Sequence, residues 1–151
     1  LPLMQQHWEI YKQENAAQGH QINHAGLVPT RHVYLAESDA QAKAEVLPTL
    51  ATRWEQLLKL AKPADMAQSK SYAYLEGTFE AAARGDLDEL MDLGMLLIGT
   101  PETAIRLIKR HQDFLEDLEY MILFFAYGNL TQEQVCNSMR LFAEEVMPEF
   151  T

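Results

Sequence analysis

Apolar positions along the chain fall into two patterns. At Val46, Leu50, Trp54, Leu57, Leu58 and Ala61 they recur every three or four residues, the spacing of a helix that buries one stripe. Ser38-Asp39 can cap such a helix, so it is expected from about Ala40 towards Ala61. Pro48 should kink or restart it, because proline lacks a donor and crowds the preceding turn. Leu3 to Gln18 reads as an earlier helix stopped by Gly19, and Asp86 to Leu93 as a short one. Gly99-Thr100-Pro101-Glu102 spells a helix start: Thr100 as N-cap, Pro101 where a missing donor costs nothing, Glu102 facing the positive helix end. Ala104, Ile105, Ile108 and Leu115 give its buried face. Thr131 and Gln134 form a capping box, with Leu130 and Val135 placed as a hydrophobic staple. The helix that follows is expected to bury Val135, Met139, Phe142 and Val146 and to stop at Pro148.

Contiguous apolar runs mark the extended segments. Val33, Tyr34 and Leu35 favour a strand, which Pro29 confines to Thr30 onward. Met95 to Ile98 reads as a short buried segment, and Tyr120 to Ala126 as a strand apolar on both faces, like a central parallel strand. The tail therefore runs helix, strand, helix, the grammar of a helix-rich α/β fold with a parallel sheet or barrel. From Lys62 to Gly85 periodicity fades, with room for one helical turn near Phe79 to Ala83. An irregular segment of that length is functional or disordered.

Composition narrows the function classes. The 151 residues amount to one ordinary domain, and 48% hydrophobic content is enough for a core. The net charge of −10, from 22 acidic and 12 basic side chains, argues against partners in nucleic acid or an anionic membrane surface. The apolar run Tyr120 to Tyr127 is far shorter than the roughly 20 residues that span a bilayer. Cys136 has no second cysteine to pair with, and no signal sequence is visible, so a cytoplasmic location is expected. The start, Leu-Pro-Leu without an initiator Met, suggests a piece of something longer.

Candidate chemistry is sparse. His20 and His24 have metal-ligand spacing, but Gly19 puts them in a turn and no further ligand completes a set, so no metal is expected. Arg106, Lys109 and Arg110 line one helix face with Glu102 a turn earlier, which a solvated, ion-paired surface explains. The same helix N-terminus offers a phosphate site, already partly answered by Glu102. Cys136 has no adjacent base and reads as filler.

The stretches HVYLAESDAQAKAE, LIGTPETAIRLIK, MILFFAYGNL and SMRLFAEEVMPEF, in that order, resemble the C-terminal part of the luciferase-like flavin-dependent monooxygenases. The resemblance covers roughly Leu3 to Phe150. It implies the C-terminal fragment of a (β/α)8 barrel, with strand seven at Thr30 to Ala36, strand eight at Tyr120 to Ala126, and flanking helices. It implies a monooxygenase that uses reduced FMN, or in some branches a deazaflavin, with O2 and a small organic substrate. A flavin reductase as supplier and a homo- or hetero-oligomer go with that. The alternatives are a non-catalytic flavin-binding or subunit-interaction member, since the family includes such proteins, and a plain helical interaction piece. Residues 62–85 fall where the family carries a mobile lid, the bland alternative being a surface loop. Trp54 on the helix leading into it, and Tyr72 and Tyr74 within it, are the expected flavin-pocket or substrate contacts, with Trp54 equally a core residue by its place in the stripe. A chain of 151 residues is short of the roughly 250 a full barrel takes, so the fragment alone is expected to be inactive.

Overall fold

A computed structural model of the chain describes residues 1–22, 26–60, 76–115 and 118–150. Its elements are α1 (Pro2–Ala17), β1 (Thr30–Leu35), α2 (Asp39–Leu60), α3 (Glu76–Arg84), α4 (Leu87–Asp92), β2 (Leu96–Gly99), α5 (Pro101–Phe114), β3 (Ile122–Phe124) and α6 (Gln132–Leu141). A π-type turn, Phe142–Val146, and a 3-10 turn, Met147–Phe150, close the chain. The three strands form one parallel sheet in the order β2-β1-β3.

β1 is central because its residues satisfy both edges and both faces. His32 pairs with Leu96 on one side and with Phe124 on the other. On one face Arg31 reaches His111 of α5, and at the strand's end Ser138 Oγ of α6 accepts the Leu35 backbone N–H at 2.8 Å. On the other face Tyr34 reaches Glu45 of α2, and His32 meets the rings of Phe124 and Tyr127. Val33, Leu97 and Ile98 are fully buried between these helical layers.

β3 differs from the sequence expectation. Only Ile122–Phe124 are strand, at the sheet's edge, and Ile122 and Phe124 remain 49% and 47% exposed. Met121, Leu123 and Phe125 pack on the core from the other face. An apolar run reports affinity for burial but not which face the fold covers. Met95 to Ile98, read as a buried segment, belongs to the full strand β2.

α2 runs unbroken through Pro48. Pro48 and Ala44 both lie on the exposed side, so the carbonyl deprived of its partner faces water, and Thr52 Oγ1 donates to Pro48 O at 3.0 Å. The side chains of Leu57 and Leu58, and all of Ala61, lie outside the described residues. α3 corrects the irregular reading of residues 76–84: Glu-Gly-Thr-Phe-Glu-Ala-Ala-Ala-Arg forms a helix, with Ala81 and Ala82 buried in the core. Its three alanines are strong helix formers that permit close packing on α2. Residues 61–75 lie outside the described residues.

The capping predictions match the structure. Thr100 Oγ1 accepts from Thr103 N at 3.3 Å, and Thr131 and Gln134 complete a reciprocal capping box. Met139 does not: it is 50% exposed, while Ser138 takes the buried position beside it. One residue along a helix turns a side chain by about 100°, and the need to satisfy Leu35 N selects Ser138.

Candidate functional site

The sheet face that carries His32 and Tyr34 holds a cluster of chemically capable side chains. After β3 the chain turns back at Gly128, where φ is +60° and an added Cβ would overlap the Thr49 side chain. That turn sets Tyr127 over β1. Its ring meets the His32 ring edge-on, centroids 4.7 Å apart at 83°, and Phe124 flanks the same imidazole at 5.7 Å.

Burial and pairing set the protonation states. Burial lowers the His32 pKa, and the Arg53 charge lowers it further, so the imidazole is neutral at pH 7. Tyr34 Oη donates to Glu45 Oε2 at 2.5 Å, and burial together with that carboxylate pushes its pKa up. Tyr127 is pushed up by burial and by its nearness to Tyr34. Its hydroxyl is buried and has no hydrogen-bond partner among the described residues. A buried, unpaired hydroxyl costs about 1–3 kcal/mol. Two neutral groups, one imidazole and one phenol, can therefore hold a neutral acceptor or pass a proton, but they form no metal set. Among the described residues no three metal-ligating side chains cluster.

Trp54 stands next to this group. It is half-buried against the core and lines a cavity of about 220 Å³ together with His32, Leu50, Arg53, Phe79 and Leu96. The core reading of Trp54 agrees with this packing. Tyr72 and Tyr74 lie outside the described residues, as do His24 and the part of the lid up to residue 75. His20 is exposed on a turn, and Cys136 is exposed on α6.

The phosphate reading of the α5 N-terminus is corrected. Asp39 Oδ1 accepts the Thr100 backbone N–H at 2.8 Å, and Oδ2 accepts from Thr103 Oγ1 at 3.1 Å, so a carboxylate of the chain already sits there. The basic face of α5 is ion-paired through other partners than the expected Glu102–Arg106 turn: Arg110 pairs with Asp92 at 3.2 Å and Lys109 with Glu149 at 3.6 Å. Sequence reasoning missed His32, Tyr34 and Tyr127, treating them as strand and turn formers. The available signal was the alternation His32-Val33-Tyr34, which sends two polar rings to one face of a strand.

The sequence profile of the luciferase-like monooxygenases matches residues 1–117, and the chain belongs to that family. Limonene 1,2-monooxygenase of Rhodococcus erythropolis is 26% identical over 150 residues, which are 96% of this chain and 34% of that enzyme. The chain thus spans about a third of the length of that curated relative. Among solved structures, the monooxygenase RslO1 of Streptomyces bottropensis matches with a TM-score of 0.66 at 21% identity, over 98% of this chain and 38% of that one. The oxygenating constituent of 3,6-diketocamphane monooxygenase from Pseudomonas putida, a type II Baeyer-Villiger enzyme in complex with FMN, matches with a TM-score of 0.69 at 20% identity, over 98% and 40%. At those identities the likeness concerns the fold.

A flavin fits these residues in part. The aromatic face and the unpaired Tyr127 hydroxyl suit a ring or a small substrate. For a phosphate, the α5 N-terminus is closed by Asp39, and Arg110 and Lys109 are engaged at the surface. The cavity, about 220 Å³, is also smaller than the roughly 300 Å³ at which cofactor and drug-sized sites begin.

Proposed function

We propose that this chain is the C-terminal portion of a flavin-dependent monooxygenase, with β1 and β3 as strands seven and eight of a (β/α)8 barrel and the His32 face turned to its interior. The observation that carries the proposal is the family match over residues 1–117, joined to a buried Tyr127 hydroxyl left unpaired beside a neutral imidazole. The reduced flavin, FMN or a deazaflavin, would supply the activation of O2. His32 and Tyr127 would hold the polar atom of a small organic substrate, while Trp54, Leu50 and Phe124 exclude water from it. The phosphate would be held by parts of the protein other than the described residues. The tyrosines at 72 and 74, within the lid segment, would complete the substrate wall. A reductase supplying the flavin, and association with further copies or subunits, belong to the same proposal.

A second reading is a non-catalytic flavin-binding or subunit-interaction member, in keeping with an α5 N-terminus closed by Asp39 and with Lys109 and Arg110 engaged by carboxylates. One experiment separates the two. The polypeptide is supplied with photoreduced FMN, or a reduced deazaflavin, under ¹⁸O2 with a panel of small ketones, alkenes and aldehydes. Labelled product from the protein carrying this segment within its full length supports the enzyme. Flavin binding without product from that protein supports the second reading, and neither binding nor product overturns both.

A further inference from the structure

The cavity beside Trp54 carries a charge that no carboxylate among the described residues answers. Arg53 lies on α2 at the cavity wall and is exposed, with no ion pair among the described residues. Its own helix does not neutralise it: Glu55, two residues on, is engaged by Lys59 at 2.7 Å. The basic side chains Lys43, Arg84, Arg110 and Arg140 each reach a carboxylate. In a chain of net charge −10, a guanidinium beside a cavity, without an ion pair among the described residues, is a local reversal of the prevailing field. The remaining lining is mostly apolar and aromatic, Leu50, Trp54, Phe79 and Leu96 among it, with Thr78 and His32 as its neutral polar members. The volume, about 220 Å³, exceeds the space of about seven water molecules at roughly 30 Å³ each. Such walls take a flat or compact apolar body, and a guanidinium at their edge takes a carboxylate or sulfonate on that body, where charge-assisted hydrogen bonds are about twice as strong as neutral ones.

We infer that the Trp54 cavity binds a small organic anion with an aromatic or compact apolar body, anchored by Arg53. The role of that anion as substrate rests on the monooxygenase reading above; its binding to this cavity does not. Arg53 selects by charge, Trp54 and Phe79 by shape, and His32 meets the buried end of the ligand as a neutral group.

The test is a calorimetric or NMR titration of the 151-residue protein, without flavin, using benzoate and its uncharged counterpart benzamide as probes. Benzoate is expected to bind about tenfold more tightly than benzamide, a difference matching one charge-assisted contact. Arg53→Gln should remove that preference, Arg53→Lys should retain part of it, and Arg106→Gln, on an exposed face of α5, should leave it unchanged. Chemical-shift changes should fall on His32, Phe79 and the Trp54 indole. Equal affinity for the two probes, a preference that survives Arg53→Gln, or no binding of benzoate up to 20 mM (roughly 2 kcal/mol of standard binding free energy) overturns the inference. Because no flavin is present, these outcomes are independent of the oxygenation experiment: labelled product with no benzoate binding defeats this inference alone.

Discussion

Asp39 Oδ1 accepts the backbone N–H of Thr100 at 2.8 Å, across 61 positions of sequence. The same carboxylate takes the Thr103 hydroxyl at 3.1 Å, so the first residue of α2 closes the N-terminus of α5. Gly99 makes the approach possible. Its φ is +147°, and an added Cβ would overlap the Asp39 carboxylate and lie 2.7 Å from the Thr103 methyl. Asp39→Ala should cost about 1–3 kcal/mol by stranding a partly buried donor. Gly99→Ala should cost at least as much, since it adds backbone strain to the collision. Urea denaturation of the two variants measures both, and a loss under 0.5 kcal/mol in either contradicts the account.

The Tyr127 hydroxyl gives a prediction of unusual sign. Because it is buried without a partner, Tyr127→Phe should raise stability, by about 1 kcal/mol. If the hydroxyl holds substrate, the same change should lower turnover of the full-length enzyme. Thermal melts and turnover, measured on one preparation, read both signs. Stabilisation with unchanged turnover would make the hydroxyl a plain packing defect.

His111 lies on the opposite face of β1 from Tyr127, 1% exposed, with Nδ1 2.7 Å from Leu107 O and Nε2 accepting from Arg31 Nε at 3.0 Å. Burial lowers its pKa from 6.5, aided by Arg31, and His32 is lowered likewise. A depressed histidine stays neutral in the fold while the unfolded chain takes up a proton. Stability should therefore be complete above pH 6.5 and fall as pH drops from there towards the lowered folded values. The slope is bounded at about 1.4 kcal/mol per pH unit for each ring. Urea midpoints at pH 7.5 and 5.5 test this, and His111→Gln should flatten part of the dependence. A flat profile in the unsubstituted protein would contradict it.

Arg31 is 6% exposed, its pKa drawn down to about 10 by burial, and among the described residues its contacts are His111, Thr30 O and the Met4 sulfur rather than a carboxylate. A buried cation without an anion is a desolvation cost that packing must offset. Arg31→Met keeps most of the volume without the charge and should change stability by less than about 1 kcal/mol, whereas Arg31→Ala, which leaves a cavity, should lose about 3 kcal/mol. Equal losses in the two variants would show that the guanidinium's hydrogen bonds outweigh its desolvation.

Local chemistry made the helix ends readable. Thr100-Pro101 and Thr131-Gln134 announce their caps within four residues, and the structure places both as read. The strand faces were harder. Tyr120 to Ala126 advertises a core strand, yet which of its faces is covered depends on helices far along the chain, and residues 122 and 124 are left half exposed. The site was the least legible part. His32 and Tyr127 become neighbours only when β3 pairs with β1 and the chain reverses at Gly128, and no spacing rule spans that distance. Ser38-Asp39 reads as a cap for α2, and Ser38 Oγ does accept the Gln41 N–H at 3.2 Å, while the Asp39 carboxylate caps α5, because Gly99 leaves room for it.

The Leu35–Ser138 hydrogen bond joins positions 103 residues apart, and Leu35 is buried. During synthesis, the central strand therefore emerges well before the side chain that completes it. Its edges wait for residues 96–99 and 122–124, and its last amide waits for α6. Nascent β1 must remain solvated, or guarded by a chaperone, until nearly the whole 151-residue segment has left the ribosome. At about 5–20 residues per second, that interval lasts on the order of 5–20 seconds. The amide of Leu35 thus gains its partner only after α6 has been made, later than both strands that flank β1.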